Sequence, residues 1–210
     1  MGRDRLGYDF DKTHECILSS ATRHFMEAGF SGASIRQICR DAGVTNGAFY
    51  AHFKSKEDLF SSLVEPALQG LYELYGDEHS RYGDIKSKAD ILAAFEQSFS
   101  SDRTIIHYIY EHKVAFLLLL KAGGGTAYER FPSMLAEEEK QVTEAFFDEC
   151  RPYIGRPENL SDNIVSKLSY LVVSTVFDCF LLGKTEEETI RETQLASEFC
   201  LAGLRKIWGI

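Results

Sequence analysis

The sequence does not pair its cysteines. Cys16, Cys39, Cys150, Cys179 and Cys200 are odd in number, far apart and without a CxxC, so neither a zinc spacing nor a disulfide framework can be read from them. They are expected to be buried, reduced thiols of a cytoplasmic protein, with a redox-sensing thiol as the alternative. The N-terminus lacks the apolar stretch of a signal peptide. The longest uninterrupted apolar run, Val114 to Leu120, falls far short of the ~20 residues that span a bilayer. Enzyme signatures are missing too: there is no GxSxG, no HExxH, no phosphate loop and no dinucleotide-binding glycine fingerprint. The expectation is therefore a chain that is not an enzyme and needs no cofactor or metal. Gly123-Gly124-Gly125 lacks the Lys-Ser/Thr and the preceding strand of a phosphate loop and reads as a chain reversal. No two-residue alternation marks a strand, and no internal repeat occurs.

A surplus of positive charge is also missing. The 210 residues carry a net charge of −9, which taken whole argues against nucleic acid, whose binders usually show a basic face. The distribution matters more. Residues 1–60 hold eight Lys/Arg and eight Asp/Glu, whereas residues 61–210 hold 15 and 24. The acidic excess thus lies outside the first sixty residues. A neutral head still suits a polyanion if Arg36, Lys54 and Lys56 gather near phosphates, with a modest salt-dependent term. At 44% hydrophobic and 12% aromatic residues, the composition can fill a sizeable core.

What the chain does have is helical periodicity, sharpest in Ser34 to Lys56. Ser34 stands three residues before Gln37, a capping-box spacing. Ile35, Ile38, Cys39 and Ala42 recur as one apolar stripe. Gly43 supplies a left-handed turn, Val44 plugs the corner, and Thr45 is a good N-cap for the next helix. Phe49 and Phe53, four apart, point inward. Thr45, Asn46, Gly47, Ala48, Tyr50 and His52 are left mostly outward. A short helix with an apolar back and a front of small, amide, hydroxyl and imidazole groups suits a DNA major groove.

The pattern from Ile17 to Leu59, with Ala21, Phe25, Gly29, Phe30 and then AGVTNGAFYAHFKSKEDL, resembles the DNA-binding domain of TetR-family transcriptional regulators. The resemblance covers about a fifth of the chain, in family order and spacing. It implies an all-α protein, with a three-helix head at 1–60 and a helical ligand-binding and dimerisation domain at 61–210. Position by position it implies that Arg36 approaches a base or phosphate. Thr45, Asn46, Gly47, Ala48 and Tyr50 would face bases, with Asn46 suited to adenine. His52, Lys54 and Lys56 would hold phosphates. The implied partners are double-stranded DNA with a near-palindromic operator, a small-molecule effector and a second copy of the chain. The competing reading is a helical small-molecule carrier or enzyme whose N-terminal hairpin is structural only.

Along the rest of the chain, Met1 to Tyr8 reads as a polar terminal arm. A first helix is expected over about Asp11 to Ala28, buried through Ile17, Leu18, Ala21, Phe25 and Ala28 and stopped by Gly29. Ser55 and Asp58 cap a fourth helix, in which Pro66 should impose a kink. Gly76 to Lys86 reads as a linker. Helices follow at Ser87–Ser100, with Ile91, Leu92, Phe95 and Phe99 on one face, at Asp102–Ala122, and at Thr126–Arg151. The penultimate helix, capped at Ser161 with a staple from Leu160 to Val165, carries Ile164, Leu168, Leu171, Val172, Thr175, Cys179 and Leu182 as its stripe, with Val165, Val176, Phe177 and Phe180 extending the apolar surface round the helix. Thr185 and Glu188 cap the last helix, whose stripe is Ala196, Phe199, Cys200, Leu204 and Ile207. A penultimate helix apolar on two sides asks for a second partner, which the resemblance identifies as its own twin. His107, Tyr110, Glu111 and Asp178 are the candidate polar contacts for the effector. His107 and Glu111, four apart, could also ligate a metal, and ordinary hydrogen bonding accounts for them as well.

Overall fold

The computed structural model describes residues 3–79, 85–154 and 161–208. Among these, the elements are α1 (Arg3–Gly32), α2 (Ile35–Ala42), α3 (Asn46–His52), α4 (Lys56–His79), α5 (Lys88–Glu111), α6 (Lys113–Ala122), α7 (Phe131–Ile154), α8 (Asp162–Leu181) and α9 (Glu186–Trp208). The protein is all-α, and no described helix is long and apolar enough to cross a membrane. Two compact units form: Met1–Gln69 with His112–Glu129, and Gly70–Glu111 with Arg130–Ile210. The division expected from the sequence falls at residue 60. Compactness divides the chain differently, placing α6 with the N-terminal helices.

The first unit is built on aromatic packing. Ile17, Ala21 and Phe25 of α1 are fully buried, and Phe25 and Phe30 both set their rings edge-on to Phe60. Ala28, expected in that stripe, is exposed, because Gly29 at φ 69°, ψ 171° turns the chain there. Lys56 closes this corner. Its ammonium donates to the carbonyls of Phe30 and Ala33 at 2.8 and 3.0 Å and sits 4.4 Å above the Phe30 ring. α1 begins at Arg3, so the expected terminal arm is helical from there. α6 packs on α1 and buries Phe116, Leu118, Leu119 and Ala122. Beyond it Tyr128 donates its hydroxyl to Glu65 at 2.6 Å and lies 3.0 Å from the Ser61 hydroxyl. Gly123 keeps a right-handed backbone. The residue that reverses the chain is Gly125, at φ 82°, where a Cβ would come within 2.8 Å of Ser31 Oγ.

Four boundaries differ from the periodicity reading. α4 contains the exposed Pro66 and stays helical through Gly76 to His79. Residues 80–84 of the expected linker lie outside those described. α5 continues past Ser100, and the break falls at His112, whose φ −100°, ψ 32° leave helical geometry. α7 starts at Phe131, after a run of turns, rather than at Thr126.

In the second unit the expected stripes of α8 and α9 are buried only in part: Cys179, Cys200 and Leu204 turn inward as expected, as do Val176, Phe177 and Phe180 on the wider apolar surface of α8. α8 buries Ser169, Val173, Val176, Phe177, Cys179 and Phe180, and exposes Ile164, Leu171 and Leu182. α9 buries Thr189, Thr193, Cys200, Leu201 and Leu204, while Phe199 is 73% and Ile207 50% exposed. For α8 the physical reason is that a helix apolar on most sides fixes no face by periodicity; α9 carries many charged and polar residues, and of its stripe Phe199 and Ile207 turn outward. The side chains of Val165, Phe95 and Phe99 lie outside what the structure describes. The caps stand: Ser161 Oγ accepts from Ile164 N–H, and Thr185 and Glu188 exchange two bonds at 2.8 and 3.2 Å, a reciprocal capping box.

Candidate nucleic-acid interface

α2, its turn and α3 set the candidate face. Ile38 and Cys39 anchor α2 in the core. Gly43 ends it at φ 69°, ψ 27°, its N–H bonding Arg40 O at 3.2 Å while Val44 N–H bonds Cys39 O at 2.9 Å. That paired bonding satisfies the last carbonyls of α2 and needs a residue at ease with positive φ. Thr45 Oγ1 then accepts from Ala48 N–H at 3.1 Å, capping α3. Ser34 flanks α2 with extended backbone but makes no side-chain cap bond, so the expected capping box reduces to a backbone cap. His24 and Asp41 tie α1 to the end of α2 at 2.8 Å, and Arg40 meets the other Asp41 oxygen at 3.1 Å. These bonds, with His24 first and Arg40 second, hold the Asp41 carboxyl below its usual range.

Phe49 is fully buried and Phe53 nearly so. With this back edge fixed, Thr45, Asn46 and Gly47 are exposed, Ala48 is half-buried and Tyr50 is 59% exposed with its ring edge-on to Phe49. The outward edge of α3 therefore carries hydroxyl, amide, small and phenol groups without a charge among them. Such groups can meet base edges, whereas charged ones position on phosphates. Arg36 on α2 and Lys54 after α3 are exposed and free to flank that edge. Lys56 is half-buried and has given two of its three donors to the α1 corner. His52 is half-buried as well. Its ring is stacked on Phe10 at 3.9 Å, and its Nδ1 is buried without a hydrogen-bond partner. Burial first, and His14 second, push His52 below its ordinary value. Phe10 and His14 were not singled out by sequence. Their i, i+4 spacing puts them on one helix face, but no sequence signal says that this face meets the end of α3.

The four residues expected to meet an effector lie in the second unit. His107 is exposed. Its Nδ1 lies 2.9 Å from Glu186, and its Nε2 lies 3.5 Å from Glu111. The Glu186 bond, then the Glu111 charge, raise its protonation range. Tyr110 donates to the Lys184 carbonyl at 2.9 Å and lies 2.7 Å from the Thr189 hydroxyl, pinning α5 to the turn before α9. Asp178 is exposed, so the premise of a buried carboxylate needing a partner does not hold. Among the described residues no group of three or more His, Cys, Asp or Glu is placed to hold a metal. Burial raises the thiols of Cys39, Cys179 and Cys200, and pushes Cys150 up to about 12. Such thiols make poor nucleophiles at neutral pH.

A three-helix head with a polar outward edge on its third helix has the form of a helix-turn-helix DNA-binding domain. Residues 17–63 match the family described as bacterial regulatory proteins, tetR family. Over that head, about a fifth of its length, the chain is similar to TetR-family transcriptional regulators. It is 34% identical over 110 residues to the HTH-type transcriptional regulator AcrR of Shigella flexneri, a match covering 50% of this chain and 51% of that protein. The matched stretch thus spans about half the length of that relative. Two solved structures share the fold. NalD, the secondary repressor of the MexAB-OprM multidrug efflux pump in Pseudomonas aeruginosa, is 20% identical with a TM-score of 0.54, covering 90% of this chain and 97% of its own. A gamma-butyrolactone receptor (ArpA-like protein) is 19% identical with a TM-score of 0.56, covering 94% and 88%.

Proposed function

We propose that this chain is a ligand-responsive repressor that grips a near-palindromic operator as a homodimer and leaves it when a small molecule binds. The observation that carries the DNA-reading part is the uncharged outward edge of α3, capped by Thr45 and anchored by the buried Phe49. Asn46, Thr45 and Tyr50 read base edges, and Gly47 and Ala48 let the backbone approach. Arg36 and Lys54 hold phosphates, and the remaining donor of Lys56 joins them. NalD is named as a repressor and the ArpA-like protein as a receptor, which supports repression and effector response here.

The second copy is supported by the stripe that α8 turns outward. Leu171 and Leu182, with Leu195 and Phe199 of α9, are exposed at 39%, 76%, 68% and 73%. Large side chains spaced along one helix face in this way suit a self-complementary two-fold interface. Two copies then present two α3 helices to half-sites one helical turn apart, ~34–36 Å, or a multiple of it.

The test is selection from a random duplex library by the purified chain. Paired half-sites should be enriched. On the enriched duplex Asn46→Ala should cost about 1–3 kcal/mol, while binding to random duplex stays unchanged. Equal weakening on both would remove base reading from Asn46. Failure to enrich any duplex would remove DNA reading altogether, in favour of a purely structural hairpin.

A further inference from the structure

Phe10 is 49% exposed, yet its ring is not idle. It stacks on the His52 imidazole with centroids 3.9 Å apart and planes at 29°. One turn further along α1, His14 stacks on Phe53 at 4.8 Å and lies 5.4 Å from His52. The early part of α1 thus lays two rings against the last residue of the reading helix and the residue that caps it. The imidazole under Phe10 has one nitrogen, Nδ1, buried and without a partner. A group outside the protein can therefore meet this ring only through Nε2.

We propose that Phe10 is a positioning residue for DNA binding: its ring fixes the plane of His52 at the end of α3, so that Nε2 alone faces the duplex and donates one hydrogen bond to a phosphate oxygen. This rests on the DNA-binding reading above. The tautomer follows from the geometry. A proton on Nδ1 would be a buried donor without an acceptor, which costs more than leaving a lone pair there. The proton belongs on Nε2. The titratable neighbour recorded against the ring from α1 is His14, and together with burial it disfavours a second proton on His52. His52 then acts as a neutral donor. It orients the end of the helix on the backbone without releasing a counterion, unlike a lysine or arginine contact.

The test uses the full chain and a duplex enriched from a random library by the wild-type protein. Phe10→Ala should weaken binding by about 3- to 10-fold, the loss of one well-oriented hydrogen bond. Phe10→Tyr, which keeps the ring, should restore it to within about twofold. In a His52→Ala background, Phe10→Ala should cost nothing further, because the cycle isolates the coupling between the two residues. The thermal midpoint of Phe10→Ala should fall by no more than about 4 °C, since the ring is half exposed. An NMR titration should show the His52 imidazole moving back up toward its ordinary value once the covering ring is gone. Equal losses in both backgrounds, or an unmoved imidazole, would overturn the proposal. A library from which no duplex is enriched would overturn the DNA-binding reading and this inference with it. Enrichment with an unchanged Phe10→Ala affinity would overturn this inference alone.

Discussion

Replacing Lys56 with methionine keeps most of the aliphatic stem and removes the ammonium. Two bonds are lost, to Phe30 O at 2.8 Å and Ala33 O at 3.0 Å, with the contact over the Phe30 ring at 4.4 Å. A hydrogen bond from a charged group is worth about 1.5–3 kcal/mol net, and an exposed cation–ring contact about 0.5–1 kcal/mol. The site is only half-buried, so water re-hydrates the two carbonyls in part. A total near 2–3 kcal/mol is the working figure, which for a chain of this length corresponds to about 5–10 °C in thermal midpoint. The assay is unfolding followed by circular dichroism, without DNA, beside the salt dependence of duplex binding. If the third donor also reaches a phosphate, the slope of log K against log salt falls by about 0.9. An unchanged midpoint with only the slope reduced would refute the reasoning, because Lys56 would then be a surface phosphate contact and nothing in the α1 corner would depend on it.

Phe199→Asp should convert the proposed dimer to monomer by sedimentation while leaving the helical signal intact, because Phe199 is 73% exposed in the single chain; a dimer that survives would remove α9 from the interface. Gly43→Ala should cost about 1 kcal/mol from backbone strain alone, since φ is 69° and nothing lies within 4 Å of the added Cβ. A neutral alanine in a urea titration would show that the turn relaxes away from this conformation. His107 is bonded to Glu186 and Glu111, which raises its protonation range above the usual 6.5. Its contribution is fully present below the usual value and is lost as pH rises through the raised one. The difference in midpoint between wild type and His107→Gln should therefore shrink with rising pH, and a difference that grows would sink the assignment.

The head could be read from sequence because its signals are local. Gly43 must turn left-handed, Thr45 must cap, and Phe49 and Phe53 must share a face whatever the rest of the chain does, so the outward edge of α3 follows. Ser55 and Asp58, and Thr185 and Glu188, are legible for the same reason, since each pair settles its bonds within four residues. The inward faces of α8 and α9 are legible only in part, because α8 is apolar on most sides and α9 turns Phe199 and Ile207 of its stripe outward. Which stripe turns inward depends on partners distant in sequence, and Leu171 and Leu182 carry no mark of facing out. The break at His112 was missed because no glycine or proline sits there. Phe10 and Lys56 each make a tertiary contact, with His52 and with the α1 corner, that a one-dimensional pattern does not contain. Asp178 looked buried only because its neighbours are apolar, and its side chain in fact faces water.

The Tyr128 hydroxyl between Ser61 and Glu65, with α6 packed on α1, means that the reading head is not a cassette that can be cut out at the end of its matched motif. A gene fusion that grafts the first sixty-odd residues onto a foreign body would leave Tyr128 behind and strip a wall from α1. Builders of hybrid proteins from this scaffold should carry residues 112–129 along with the graft, or supply an equivalent brace.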